Sequence, residues 1–255
     1  MQLAAALAVL AVALVPALSA FAAPPEPPDP LRARLAELAE RADGVVGVAV
    51  LDLATGRSVA LDGDERFPMA STYKVPIAIA VLHRVDEGAL LLSERVEIAS
   101  SDLVEGGMET ILKKWRPGLS LTVGELIDLM VTESDNIATD VLFRRLGGPP
   151  AVAARLGELG LSGIDVSRTE RQAAADAYGV KLPSAPVGLE TFRKLRRAVP
   201  APARKKAREG WEKDPRDTAT PVAMTRLLAR LARGELLKKE STDLLLDALR
   251  RCKTG

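Results

Sequence analysis

The sequence predicts an α+β protein, a mostly helical domain joined to an antiparallel sheet that begins as an N-terminal hairpin. Three observations predict it. Residues 45–53 (VVGVAVLDL) are Val-rich, residues 58–62 alternate, and Ala54-Thr55-Gly56-Arg57 between them reads as a turn. Strand signals nearly vanish after Gly63. Helical periodicity then recurs at 69–86, 123–131, 137–146, 151–159, 221–233 and 242–251, with Gly88, Gly147-Gly148, Gly160 and Gly234 where helix stops belong.

Taken in order, residues 1–25 hold no Lys, Arg, Asp or Glu, and an apolar run from Leu3 to Ala22 precedes a proline block. Ala20-Phe21-Ala22 has the small-x-small form of a cleavage site, so 1–22 reads as a signal peptide and 23–30 as a linker. A membrane anchor is the alternative, since the run approaches bilayer length. Export to the periplasm or secretion is expected. Leu31, Leu35, Leu38 and Ala39 mark a helix, which with the hairpin makes a 31–62 unit. Residues 63–251 read as an all-helical subdomain. Within the 69–86 helix Pro76 lacks the N–H that would bond the Thr72 carbonyl, which predicts a kink or a freed carbonyl. Residues 193–213 are basic and interrupted by Pro200 and Pro202; a solvated helix pair in a long loop is the plain account, a contact for an anionic polymer the sharper one.

Composition narrows the function. The chain has 255 residues, 47% hydrophobic and 27% charged, which fits a packed globule. Thirty-five Lys and Arg face 34 Asp and Glu, a net charge of +1 that argues against nucleic acid as a partner. Only 3% of residues are aromatic, too few for a base-stacking platform. One Cys, Cys252, and one His, His83, make no structural zinc site, and no cofactor is expected.

Chemistry gathers at two places. Ser71-Thr72-Tyr73-Lys74 is an S-x-x-K quartet opening an apolar helix. Positions i and i+3 share a face, so the Ser71 hydroxyl and the Lys74 amine can meet. A serine needs an adjacent base to attack, and an enclosed lysine loses its proton readily. The helix N-terminus adds N–H groups where an oxyanion would form. A capping serine beside an exposed lysine is the plainer account. Sixty-three positions later, Ser134-Asp135-Asn136 lies between two apolar helices. All three residues cap helices well. The same loop can also turn a hydroxyl and an amide into a cleft, with Ser134 relaying a proton and Asn136 bonding a substrate amide.

These two motifs, with their surrounding text FPMASTYKVPIAIAVL and LMVTESDNIATDVLFRRLG, resemble the class A serine β-lactamases, of an extended-spectrum-like subgroup, and their relatives among the penicillin-binding proteins. Asp217-Thr218-Ala219-Thr220-Pro221 resembles the segment that closes the family's omega loop, which would span 163–220 here. The resemblance implies a monomeric enzyme acting on small-molecule β-lactams, without metal or stable membrane association after processing. Ser71 would be the nucleophile, Lys74 its base, and Ser134 the proton donor to the ring nitrogen. The backbone N–H of Ser71 would give half of the oxyanion hole. Glu170, 36 positions after Ser134, would activate the deacylating water; Glu190, Glu209 and Glu212 are weaker candidates. Two departures put deacylation in question: Ala174 stands where the family has a water-holding Asn or His, and the segment from Asp176 to Asp217 is unusually long. The gate region Glu105-Gly106-Gly107-Met108 also lacks the family's aromatic.

Lys253-Thr254-Gly255 is not read as the family's third motif, because residues 242–251 before it are helical and Lys253 lies only 32 positions after Pro221. Residues 252–255 instead resemble a linker that precedes the true motif. The expectation is a chain that stops before the last strands and final helix, so that only the N-terminal hairpin of the sheet is present, with little or no turnover. Two other functions stay open: a D-alanyl-D-alanine peptidase or penicillin-binding protein sharing Ser71, Lys74, Ser134 and Asn136, and a non-catalytic exported binding module using the 193–213 segment.

Overall fold

A computed structural model describes residues 29–106 and 108–253. The leader expected at 1–22, most of the 23–30 linker, Gly107, Thr254 and Gly255 lie outside the described residues. Helix α1 (Pro30–Ala39) starts where the Asp29 carboxylate accepts the Leu31 and Arg32 N–H groups. Strands β1 (Val48–Leu51) and β2 (Ser58–Leu61) form the expected antiparallel hairpin, with Val48 opposite Leu61 and Leu51 opposite Ser58. Two more short antiparallel pairs join it. β3 (Phe67–Pro68) pairs with a strand 150 residues on, and β4 (Arg95–Glu97) pairs with β5 (Ser120–Thr122). The 63–251 region is therefore not all-helical. Strands of two or three residues leave too short an alternation to detect in sequence.

Helix α2 (Lys74–Asp86) follows a 3-10 turn over Ala70–Tyr73 and forms the centre of the core. Ile77, Ala78, Val81 and Leu82 are inaccessible to water. The single 69–86 helix expected from periodicity is thus a turn plus a helix. Pro76 falls in the first turn of α2, where an N–H has no intrahelical partner, so the helix runs on to Asp86.

Around α2 pack α4 (Val123–Thr132), α5 (Asn136–Leu146) and α6 (Pro149–Glu158), after a short α3 (Thr110–Lys114). Thr122 and Glu125 form a reciprocal cap on α4, and α5 ends at Gly147 in the left-handed conformation. Next come α7 (Glu170–Tyr178), α8 (Leu189–Ala198) and α9 (Ala201–Trp211), then β6 (Thr218–Ala219), the partner of β3. α10 (Pro221–Ala232) and α11 (Lys239–Arg250) close the described chain.

A two-stranded hairpin is marginal alone. Here α10 packs on β1 and α1 on β2, and the Thr225 hydroxyl donates to the Ala49 carbonyl at 3.2 Å. The pairing of β3 with β6 ties the start of the Ser71 turn to the end of the long 163–220 segment. None of the described helices is long and apolar enough to cross a membrane.

Candidate active site

Ser71 sits in the second position of the 3-10 turn that runs into α2. The residue before it, Ala70, has φ 45°, in the left-handed region that favours glycine. Ser134, in the loop between α4 and α5, has φ 55°. Strain of this kind costs of order 1–3 kcal/mol per residue and persists only where surrounding structure enforces it. At Ser134 the enforcement comes from its neighbour. Asp135 is inaccessible to water. One of its oxygens accepts the Ile137 and Ala138 N–H groups at 2.9 and 3.0 Å, capping α5 as its residue type suggests. The other accepts the Ile111 N–H at 2.9 Å.

The two loops bring the sequence-predicted residues together. The Ser134 hydroxyl is 2.7 Å from the Ser71 hydroxyl. Lys74, almost completely buried, donates to the Ser134 hydroxyl at 2.9 Å, the Ser134 carbonyl at 2.8 Å and Asn136 Oδ1 at 2.6 Å. Its ammonium lies 3.3 Å from Glu170 Oε1. The direct Ser71–Lys74 contact expected from the i, i+3 spacing is replaced by a relay, with Ser134 standing between them. Burial pushes the Lys74 pKa down, opposed by the charge and hydrogen bonding of Glu170.

Glu170 is the first residue of α7, which starts with Thr169 accepting the Gln172 N–H. Beneath it, the two oxygens of Asp140 accept the Glu170 and Arg171 N–H groups at 2.7 and 3.0 Å. Desolvation pushes the Asp140 pKa up to about 7, against the pull of those N–H groups. Tyr73 is buried with its hydroxyl unpartnered, and its pKa is raised chiefly by desolvation and then by the Glu170 charge.

Just before Glu170, Arg168 is 4% exposed and holds the segment's two ends together. It reaches Asp217 at 2.5 Å, Asp214 at 3.0 Å and Asp176 at 3.2 Å. The indole of Trp211 stacks on it, 4.4 Å from guanidinium carbon to ring centroid. Arg216 bridges Asp176 and Asp214, holding the Asp214 carboxyl near 2. A cavity of about 310 Å³ opens among Ser71, Asn136, Glu170, Ala173, Trp211 and Arg216. Ala174 faces an adjoining depression that shares Glu170, Asn136 and Trp211 with the cavity.

The other candidates lie elsewhere. Glu190 pairs with Arg193 on α8, Glu209 with Lys205 on α9, and Glu212, just past α9, with Arg208. Lys253 donates its backbone N–H to the Thr132 carbonyl and pairs with Glu133 at 2.7 Å, apart from the cavity. The 193–213 segment is a basic helix pair as read, but its charge is partly committed: Arg193 and Arg196 both grip Glu105, at 2.8 and 2.9 Å. Among the described residues no group of three His, Cys, Asp or Glu is arranged to hold a metal.

Sequence reasoning did not single out Asp140, Arg168 or Trp211. Asp140 carried a usable signal, since it lies four positions after Asn136 and so on the same face of α5. The partners of Arg168 are distant in sequence and gave none.

Residues 30–255 match the model of the beta-lactamase enzyme family. Beta-lactamase L2 of Stenotrophomonas maltophilia is 35% identical over 212 residues, 83% of this chain and 58% of its own length. VEB-1 of Pseudomonas aeruginosa is 27% identical over 82% of this chain and 60% of its own length. The chain thus spans about three fifths of the curated relatives it matches. Among solved structures, an ancestral class A beta-lactamase superposes with TM-score 0.68 and 38% identity, over 88% of this chain and 72% of its own. A beta-lactamase from Chitinophaga pinensis gives TM-score 0.69 at 29% identity, over 88% and 70% of the two chains.

Proposed function

Because the chain belongs to the beta-lactamase enzyme family, class A, we propose that it opens the amide of β-lactams through an acyl-enzyme on Ser71. The observation that carries this reading is the continuous run of contacts Ser71–Ser134–Lys74–Glu170, with spacings of 2.7, 2.9 and 3.3 Å. A nucleophile, a relay and two bases are lined up within proton-transfer reach.

In acylation, the Ser71 oxygen bonds to the lactam carbonyl carbon. Its proton passes to Ser134 as the Ser134 proton passes to neutral Lys74, whose lowered pKa favours that form. The positive end of the Ala70–Tyr73 turn and α2, with the Ser71 N–H, stabilises the developing oxyanion. As the C–N bond breaks, Lys74 returns its proton through Ser134 to the ring nitrogen. In deacylation, Glu170 takes a proton from water as the water oxygen bonds to the ester carbon; the C–O bond to Ser71 then breaks as the Ser71 oxygen takes a proton from Ser134, which Glu170 restores through Lys74. Asn136 keeps Lys74 oriented through Oδ1 and offers its amide to the substrate.

Exposure to benzylpenicillin followed by intact mass and peptide mapping tests the first half. An adduct on the peptide holding Ser71, absent from Ser71→Ala, is expected; labelling elsewhere or none refutes the reading. Glu170→Gln tests the second half, since the adduct should then persist. The proposal extends to a monomer located in the periplasm or outside the cell, supported by the apolar run at 3–22. Size exclusion and cell fractionation check both.

A further inference from the structure

Two helices, α8 and α9, lie within the segment that carries Glu170, and they are built as a brace. α8 buries Leu189 and Phe192, and Phe192 packs with Ala175 and Val180 of the α7 end in a small core of its own. The Arg171 guanidinium stacks on Phe192 at 4.9 Å and donates to the carbonyls of Ser101 and Leu103. α9 buries none of its residues, yet it packs along α7 and ends in Trp211. Trp211 covers Arg168 and lines the cavity beside Ser71 and Glu170.

We propose that Trp211 is a positioning residue for Glu170, acting through Arg168; this rests on the deacylating role given to Glu170 above. Arg168 lies two positions before Glu170 and joins the start of α7 to Asp214 and Asp217 at the far end of the segment. These charge pairs hold firmly only while water is kept from them, because Coulomb attraction weakens several-fold as the local dielectric rises. The indole is the apolar cover over Arg168. Its removal hydrates the guanidinium, loosens its pairs with Asp214 and Asp217 and frees the first turn of α7. Ser71, Ser134 and Lys74 are carried by the turn before α2, by α2 and by the α4–α5 loop, and they meet this network only through the Lys74–Glu170 ion pair and the β3–β6 pairing. Trp211 therefore acts more strongly on the second chemical step than on the first.

The experiment follows the acyl adduct by mass. Ser71 is labelled with benzylpenicillin, excess reagent is removed, and adduct loss is timed in the wild type, Trp211→Ala, Trp211→Phe, Glu170→Gln and the Glu170→Gln/Trp211→Ala double variant. Sub-ångström misplacement of a catalytic group costs tens-fold in rate, so Trp211→Ala should lengthen adduct life about tenfold. Because Trp211 also lines the cavity, labelling is read as its limiting rate at saturating benzylpenicillin, which should change several-fold less than adduct life. Trp211→Phe, which keeps an aromatic cover, should recover most of the difference. In the Glu170→Gln background, Trp211→Ala should add nothing. Equal slowing of labelling and loss, or an additive effect without Glu170, overturns the proposal. If Trp211→Ala does not fold, Trp211→Leu is read by the same two rates. If Glu170→Gln itself leaves adduct life unchanged, the role given to Glu170 fails instead.

Discussion

Replacing Asp135 tests how the Ser134 loop is held. Its carboxylate satisfies three backbone N–H groups from two elements, those of Ile137, Ala138 and Ile111, at 2.9–3.0 Å and out of reach of water. Asp135→Ala removes the α5 cap, which costs about 1–2 kcal/mol. It also strands the Ile111 N–H, a buried donor left unpaired, at about 1–3 kcal/mol. The expected loss is thus about 2–5 kcal/mol, a large share of the roughly 5–15 kcal/mol typical of a domain. Asp135→Asn keeps one oxygen for the cap but turns an NH2 toward the Ile111 N–H, so it should fall between wild type and Ala. Urea unfolding followed by far-UV circular dichroism measures the losses. Hydrogen exchange at the Ile111 amide should quicken in both variants, and Ser71 labelling should slow in both as Ser134 relaxes. An Asp135→Ala protein within about 1 kcal/mol of wild type, with an unchanged Ile111 amide, would refute the reasoning.

Four further outcomes follow. Burial lowers the Lys74 pKa, so Ser71 labelling should rise with pH and level off below the ordinary lysine range; in Glu170→Gln, which removes the opposing charge, the plateau should begin at still lower pH. Lys74→Ala should abolish labelling at every pH, leaving no proton acceptor at 2.9 Å from Ser134. Asp140 has a folded pKa raised from 3.8 to about 7, so the folded state keeps a proton that the unfolded state releases. Stability should therefore fall as pH climbs from about 4 to 7 and flatten above, by at most about 4 kcal/mol, and Asp140→Asn should flatten that slope in urea titrations. Gly106 has φ 109°, and a Cβ there would lie 2.9 Å from Asn136 Nδ2. Gly106→Ala should therefore displace Asn136 and slow labelling about tenfold or more, a geometric misplacement of a substrate-facing amide.

Much of the site was legible because its residues come in short local motifs. Ser71 and Lys74 share one helical start, Ser134 and Asn136 share one loop, and each motif needed only a spacing argument to pair hydroxyl with amine. The long helices were legible from periodicity, and α5 and α10 begin and end within a residue of the expected limits. What escaped was set by contacts between distant segments. The pairing of β3 with β6 depends on two residues from each side. The Arg168 network joins carboxylates eight to 49 positions away. The relay through Ser134 depends on a loop 63 positions from Ser71 folding back between Ser71 and Lys74. No local rule carries those facts, because each is decided by what the folded chain brings alongside.

Ala70 and Ser134 share a backbone conformation that only glycine adopts without cost, and this sets two opposite evolutionary pressures. At position 70 the side chain is a bare methyl, so a glycine there relieves strain and takes no chemistry away. At position 134 the same replacement removes the hydroxyl on which proton traffic runs. A lineage selected for hardiness alone would drift toward glycine at both places, and would arrive at a sturdier, inert protein. Position 70 is thus a free point for engineering durability, and position 134 the point where durability and reactivity must be traded.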